Sequence, residues 1–250
     1  MDIHTTTKCQ RAPNLELKEL SVGYREGHAI KIVAKNLSAT LNSGSFICLV
    51  GRNGVGKSTL LRTLAGFLPP LAGDILLDGN SLSLMSRQTL SETIGVVLTD
   101  HIDMPNMTLS DIVGMGRSPY TNFWGTLQEE DYRIVADAMR DVGLTALADA
   151  PISRVSDGER QKAMIAKALA QQTDIIILDE PTAFLDYPSK IAIMSLLRSL
   201  AHERRKIVFL STHDLDVAYR LADDIWIMDE HGLTVQASPE QLLALSFHPV

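Results

Sequence analysis

Cysteine is scarce in this sequence, which has only Cys9 and Cys48 among its 250 residues. Two isolated cysteines form neither a disulfide framework nor the paired spacing of a zinc site, so we expect a protein of a reducing compartment. Cys48 lies within the apolar run 46–50. A buried thiol on a strand is the expected role of such a residue.

Long hydrophobic runs are also missing. No apolar stretch approaches the roughly 18–20 residues that a helix needs to cross a bilayer. Residues 1–14, which we treat as a leader, lack the apolar core of a signal peptide. We therefore expect any role at a membrane to depend on a partner protein.

The sequence has no excess of positive charge. It contains 23 Lys and Arg against 30 Asp and Glu, and its formal net charge is −7. A general nucleic-acid binder usually presents a basic surface, so nucleic acid is not an expected partner. Hydrophobic residues at 45% and charged residues at 21% exclude extended disorder, and the length suits one large α/β domain.

Short apolar runs alternate with helical patterns along much of the chain. Runs rich in β-branched residues predict strands at 46–50, 94–98, 175–178, 207–210 and 225–228, with a hairpin partner at 233–237. Helices are predicted at 58–65, 160–171 and 189–203, and a short one after Ser238. Alternating strands and helices indicate a parallel sheet with right-handed crossovers.

Two segments depart from this alternation. Residues 15–45 show strand-like alternation and predict an antiparallel β flap, whereas residues 100–160 contain helical patterns at 109–115 and 129–142 and no convincing strand. We therefore predict a single domain over 15–250 that carries the flap and an inserted helical subdomain.

The strongest motif follows the first core strand and opens a helix. It has the pattern G-x-x-x-x-G-K-[ST] and consists of Gly51, Arg52, Asn53, Gly54, Val55, Gly56, Lys57, Ser58 and Thr59. Such a loop wraps phosphate groups with backbone N–H donors. Lys57 is then placed for the β- and γ-phosphates, and Ser58 for Mg²⁺. The alternative is a glycine-rich turn without a ligand.

A second motif ends the strand at 175–178 with two acidic residues. Asp179 lies at the sheet edge where ligands of α/β proteins bind, and it is the predicted Mg²⁺-organising carboxylate. Glu180 is the predicted general base for an attacking water. Without the phosphate loop, a solvated turn would be the expected reading of this pair.

A third motif, Val155-Ser156-Asp157-Gly158-Glu159, opens the helix predicted at 160–171. A serine and a glycine at a helix N-terminus form an anion site. One nucleotide does not need two such sites in one chain, but two copies related by a two-fold axis would use both. The alternative is an ordinary capped surface helix.

Together these motifs resemble the ATP-binding subunit of ABC transporters, from Leu15 onward. The resemblance implies a P-loop NTPase (RecA-like) core. It identifies residues 51–59 as the Walker A loop, 175–180 as the Walker B strand and 155–159 as the signature motif that contacts the partner subunit's ATP. It further implies that Tyr24 stacks on adenine, that Asp186 belongs to the D-loop and that His213 contacts the γ-phosphate.

Two positions depart from the family pattern. The usual signature is Leu-Ser-Gly-Gly-Gln, so Asp157 and Glu159 add negative charge here, and we expect their carboxylates to point aside. The usual Gln after the strand at 94–98 is replaced by Thr99, a further candidate Mg²⁺ ligand through water, with Asp100 as an alternative. Because Glu180 and His213 are retained, we expect the site to hydrolyse ATP.

The segment 113–120 and the helix at 129–142 resemble importers of iron–siderophore complexes, haem and vitamin B12. This resemblance implies a homodimer at the cytoplasmic face of the inner membrane. It also implies membrane permease subunits that contact the loop from Thr99 to Pro105 and the helical insert, and indirectly an extracytoplasmic substrate-binding protein.

Other functions remain open at this point. A transporter ATPase for another cargo or direction would share every motif, and a regulatory ABC module would bind ATP without hydrolysing it. A soluble ABC ATPase of DNA repair or translation usually has tandem cassettes or long coiled coils, which this chain lacks. A GTPase would need an Asn-Lys-x-Asp element, which is absent, and a kinase would not need the segment 155–159.

Overall fold

The computed structural model describes residues 13–26, 29–98, 106–122, 124–229 and 232–246. Its main sheet has six strands in the order β10-β9-β3-β8-β7-β6. All neighbours are parallel except β10, which forms an antiparallel hairpin with β9. The predicted core strands are confirmed, and they span β3 (Phe46–Gly51), β6 (Ile94–Val97), β7 (Ile175–Leu178), β8 (Ile207–Thr212), β9 (Asp224–Asp229) and β10 (Gly232–Ala237).

A second, antiparallel sheet has the order β2-β1-β4-β5. The long strands β1 (Asn14–Glu26) and β2 (Ala29–Asn42) form the predicted N-terminal hairpin. Strands β4 (Ala72–Leu77) and β5 (Asn80–Ser81), which lie after the first helix in the chain, complete this sheet and were not predicted. The domain boundaries 15–45 and 100–160 stay a prediction.

The described residues contain eight α-helices. They are α1 (Lys57–Leu64), α2 (Arg87–Thr93), α3 (Leu109–Gly114), α4 (Glu129–Asp141), α5 (Asp157–Ala170), α6 (Tyr187–Arg204), α7 (Leu215–Leu221) and α8 (Pro239–Ser246). Side chains cap several N-termini as the sequence indicates. Ser156 accepts from the Glu159 amide at α5, Asp186 from the Ser189 amide at α6, and Ser238 from the Gln241 amide at α8. The helices α2 and α7 were not predicted, because neither has an apolar stripe: α2 buries none of its residues and α7 only Val217 and Ala218.

Both faces of the main sheet are covered by hydrophobic cores. Phe46, Cys48 and Val50 of β3 face a core shared with α3, α4, α5 and α6. Ile47 and Leu49 face the opposite core, built with α1 and the antiparallel sheet. This alternation follows from the two-residue period of a strand, and it explains why the central strands are apolar throughout.

A buried arginine of the helical insert, paired with an aspartate of the same insert, anchors the insert to the end of α5. Arg117 donates through Nε to Asp131 Oδ1 at 2.8 Å, and both side chains are only 8% exposed. Another guanidinium nitrogen donates to the Ala170 carbonyl at 2.8 Å and to Gln172 Oε1 at 3.2 Å. The guanidinium also lies 4.2 Å from the centre of the Tyr120 ring. The Arg117 guanidinium therefore links the insert, by a hydrogen bond, to the end of the helix that begins with the signature segment.

Within the described residues, no helix combines the length and the low polarity required to cross a membrane.

Candidate active site

The loop after β3 forms an open cradle. Gly54 and Gly56 have φ angles of +84° and +112°, which L side chains rarely adopt. A Cβ on Gly56 would lie 2.1 Å from Val33 Cγ1, so the N-terminal sheet packs directly on this loop. Helix α1 begins at Lys57 without a side-chain cap. Its first N–H groups therefore have no side-chain acceptor and are suited to an anion.

Lys57 lies folded across this cradle and is only 6% exposed. Its Nζ donates to the carbonyl oxygens of Gly51, at 2.7 Å, and of Arg52, at 3.3 Å. The same Nζ lies 3.4 Å from Glu180 Oε1. The ammonium group thus stands between the phosphate loop and the acidic pair at the end of β7.

The acidic pair is organised by a buried serine. Ser211, at the end of β8, donates its hydroxyl to Asp179 Oδ1 at 2.6 Å and accepts the Glu180 amide at 2.8 Å. The Asp179 amide in turn donates to the Val97 carbonyl on β6. Because the three strands are parallel neighbours, their carboxyl ends bring these groups to one edge of the sheet.

Glu180 has a left-handed backbone conformation, with φ of +49°. Such a conformation is strained for a residue with a side chain, and it is common at functional sites. One carboxylate oxygen lies 2.7 Å from His213 Nδ1, and the other is buried without a hydrogen bond, 3.4 Å from Lys57 Nζ. The predicted base, the predicted γ-phosphate contact and the phosphate-loop lysine therefore meet at one carboxylate.

One residue of the loop and one residue of the acidic pair suit a magnesium ion that binds together with phosphate. Ser58 is exposed at the start of α1, and Asp179 is 2% exposed at the facing strand end. No group of three or more His, Cys, Asp or Glu side chains capable of holding a metal occurs in the part of the chain that the structure describes. Mg²⁺ usually binds one or two protein oxygens together with water and phosphate, so this donor set suits it.

Tyr24 lies on β1 opposite Lys31 of β2. The Lys31 Nζ is 5.6 Å from the centre of the Tyr24 ring, which is 36% exposed. Val33, which contacts the phosphate loop at Gly56, is on the same strand as Lys31. The aromatic ring predicted to stack on adenine is thus part of the sheet that packs on the phosphate loop.

The signature segment is more constrained than we expected. Glu159 does not point aside, because its Oε2 accepts hydrogen bonds from the Ser156 amide at 2.8 Å and the Ser156 hydroxyl at 2.7 Å. These bonds, from the hydroxyl first, lower the pKa of the Glu159 carboxyl. Asp157 does point along the helix, where Oδ1 lies 2.6 Å from an Arg160 nitrogen. The Ser-x-x-Glu spacing of a capping box was present in the sequence and could have predicted the Glu159 contact.

The segment just before Asp186, the predicted D-loop residue, packs against α5 of the same chain. A Cβ on Gly158 would lie 3.3 Å from the Phe184 carbonyl and 3.4 Å from Leu185 Cδ2. Asp186 then caps α6. Glycine at 158 therefore allows the two segments to approach closely.

Thr99, Asp100 and the loop to Pro105 lie outside the described residues. Ser211 was not among the predicted site residues, and its link between the two acidic residues was missed. No local signal distinguishes this serine from any other at a strand end.

Comparison with known proteins supports one family. The family model described as ABC transporter matches residues 34–183. The chain is 39% identical over 229 residues to an uncharacterised ABC transporter ATP-binding protein of Methanocaldococcus jannaschii, covering 92% of this chain and 78% of that protein. It is 34% identical over 226 residues to the ferric enterobactin transport ATP-binding protein FepC of Escherichia coli, covering 90% and 82% of the two chains.

A solved structure has the same fold. The dimeric ATP-binding cassette MJ0796, in a post-hydrolysis state with ADP and Pi, matches with a TM-score of 0.79 and 27% identity, covering 90% of this chain and 98% of that one. The family model covers more than half of the present chain, and the phosphate loop, the acidic strand end and the histidine converge in one site. The chain therefore belongs to the ABC transporter family, as an ATP-binding and ATP-hydrolysing subunit.

Proposed function

We propose that this chain energises an ABC importer for an iron–siderophore, haem or vitamin B12-type cargo. The observation that carries the ATPase part is the Glu180 carboxylate, which lies 3.4 Å from Lys57 and 2.7 Å from His213. The cargo class is supported by relatives such as FepC and by the achromobactin transport ATP-binding protein CbrD of Dickeya dadantii, which is 35% identical over 227 residues.

We assign the nucleotide to the phosphate loop and the N-terminal sheet. The α1 N-terminus and Lys57 bind the phosphates, and Tyr24 stacks on the adenine. Ser58 and Asp179 would hold Mg²⁺, which neutralises phosphate charge when it is bound. Lys57 now donates to two loop carbonyls, so it has to turn from them toward the phosphates when ATP binds.

We assign the proton transfer to Glu180. Its carboxylate accepts a proton from the attacking water, and Lys57 and His213 hold it in place. His213 is exposed enough to reach the γ-phosphate, since its side chain is 56% accessible. Ser211 fixes the backbone at Glu180 through the amide hydrogen bond, so the base keeps its direction during turnover.

Two copies are needed to complete each site. Ser156 and Gly158 lie at the N-terminus of α5, and they are proposed to cap the γ-phosphate bound by the other copy. The dimeric form of the similar cassette supports this arrangement. Closure of the pair would move permease subunits that dock on the loop from Thr99 to Pro105 and the helical insert. The chain is then peripheral, at the cytoplasmic face of the inner membrane.

The first test is the substitution Glu180→Gln. We expect ATP hydrolysis to fall by about 100-fold or more, since general-base catalysis contributes 10²–10⁴-fold. ATP-Mg should still bind and should now accumulate a dimer, measured by analytical ultracentrifugation. ADP, which lacks the γ-phosphate, should leave the variant monomeric.

The control for this test is Glu130→Gln, which changes an exposed carboxylate on α4. It should hydrolyse ATP at the parental rate. If Glu180→Gln hydrolyses ATP at the parental rate, Glu180 is not the general base. Loss of hydrolysis with no dimer at any ATP concentration would contradict the two-copy mechanism and favour a regulatory nucleotide-binding module.

A further inference from the structure

The N-terminus of α5 is unusually acidic for a surface that meets phosphate. Asp157 occupies the first helical position and Glu159 the third. Negative charge there is favourable for the helix alone, because it faces the positive end of the helix dipole. The same charge repels a nucleotide phosphate that approaches this terminus.

The two carboxylates are held in different ways. Glu159 is engaged in the capping box with Ser156. Asp157 is drawn along the helix by Arg160, whose nitrogen lies 2.6 Å from Oδ1. The guanidinium also reaches the Ile152 carbonyl at 3.4 Å and is 27% exposed, whereas Asp157 is 60% exposed.

The ion pair contributes little to the stability of the separate chain, because Asp157 is 60% exposed and ion pairs with a solvated partner are weak. The balance changes when two copies close and water leaves the site. Lowering the effective dielectric constant from about 80 to about 20 strengthens each Coulomb interaction about fourfold. An unpaired carboxylate at position 157 would then oppose closure on the nucleotide.

We propose that Arg160 is a positioning residue for closure: it neutralises Asp157 and holds its carboxylate away from the partner copy's γ-phosphate. This inference rests on the proposed two-copy mechanism. The proposed role of Arg160 is separate from the stability of the fold and from phosphate binding by Ser156 and Gly158.

The test is a double-mutant cycle in chains that also carry Glu180→Gln. The measured quantity is the ATP-Mg concentration that gives half-maximal dimer in analytical ultracentrifugation. Arg160→Gln should raise it about tenfold, within the range of coupling between contacting residues. With Asp157→Asn present, Arg160→Gln should change it by less than about twofold, because no carboxylate remains to neutralise.

Two further readouts separate charge from shape. Arg160→Lys keeps the positive charge and should restore closure to within about threefold of the parent. Added salt should partly rescue Arg160→Gln, since it screens the repulsion between Asp157 and the nucleotide. A residue that only supported the fold would show neither response.

The matched control is Arg140→Gln on α4. Arg140 pairs with Asp137 at 2.8 Å, with the i,i+3 spacing that Arg160 and Asp157 also have. Asp137 and Asp157 are both 60% exposed. This variant should close like the parent.

Three results would overturn the inference. One is closure of Arg160→Gln at the parental ATP-Mg concentration. Another is an equal loss with and without the Asp157 carboxylate, which would mean that Arg160 acts independently of Asp157, through the Ile152 carbonyl or on the nucleotide itself. The third is the absence of a dimer in every chain, including the one with Glu180→Gln alone. That outcome would contradict the two-copy mechanism, whereas the first two leave it intact.

Discussion

Ser211 links the two acidic residues of the candidate site through a single hydroxyl. Its side chain is fully buried, and the hydroxyl donates to Asp179 while it accepts the Glu180 amide. Without it, the Asp179 carboxylate and the Glu180 amide each lose a hydrogen-bond partner. Buried polar groups left without partners are costly, and here they also orient the proposed metal ligand and base.

Replacing Ser211 with Ala should impair hydrolysis more than nucleotide binding. We expect kcat to fall about tenfold or more with a smaller change in KM, and the free energy of unfolding to fall by about 2 kcal/mol. Steady-state ATPase assays and urea denaturation measure the two effects. Ser195→Ala, on the exposed side of α6, is the control. A variant that loses stability but keeps kcat would reduce Ser211 to a structural role.

At the scale of elements, Arg117 joins the insert to α5, because it pairs with Asp131 inside the insert and donates to the carbonyl of Ala170, the last residue of α5. The pKa of Asp131 is lowered, first by the hydrogen bond from the Gln128 amide and then by Arg117. The Tyr120 hydroxyl extends the connection to the Gln171 carbonyl, and Gln171 in turn donates to the Ser91 carbonyl beside β6. The insert is therefore connected to the strand that leads toward residue 99.

Substituting Asp131 with Asn should leave Arg117 buried without a counter-charge. We expect a loss of about 2–3 kcal/mol in the free energy of unfolding at pH 7, measured by urea denaturation. The pKa of Asp131 in the folded state lies below its ordinary value of 3.8. The ionised carboxylate therefore stabilises the folded protein at pH values above 3.8. The difference between parent and variant in the free energy of unfolding should stay constant from pH 7 to about pH 5 and decrease toward pH 3.

Asp141→Asn, at the exposed end of α4, serves as the control for that substitution and should unfold like the parent. If parent and Asp131→Asn differ by the same free energy of unfolding at pH 3 and pH 7, the charge of Asp131 does not contribute to stability. Only its hydrogen bonds would then do so.

At the scale of the whole molecule, the chain is the ATP-binding and ATP-hydrolysing subunit of its family. The site groups lie at the carboxyl edge of the main sheet, the N-terminal sheet packs on one face of that sheet, and the insert shares the core on the other face with α5. Recognition of a cargo is thus proposed to belong to partner proteins, and the energy for uptake to this chain.

The substitution Lys57→Ala should separate these two roles in cells. We expect loss of uptake of radiolabelled ferric siderophore, haem or vitamin B12, because phosphate binding loses its main cation. Binding of the same cargo at the cell surface should persist. Cells that take up all three compounds at the parental rate would contradict the cargo class and favour another cargo or direction.

Much of the fold follows from local patterns in the sequence. Central strands covered on both faces are apolar throughout, and helices between them carry recognisable caps, so the parallel core was predicted nearly residue by residue. Strands β4 and β5 were not, because a short antiparallel pair that returns to a distant hairpin has no distinctive period. The seven-residue helices α2 and α7 were missed for a similar reason.

The sequence by itself determined which chemistry is available. Three motifs carry this chemistry: the phosphate loop after a strand, the acidic strand end and the segment 155–159. Each is defined by the order of neighbouring residues, so each can be recognised without the fold. The tertiary structure alone decided how these groups meet. Glu180 faces Lys57 and His213, and Ser211 holds it, because parallel packing brings three strand ends to one edge. Partners so far apart in the chain are selected by packing, and no local pattern encodes that selection.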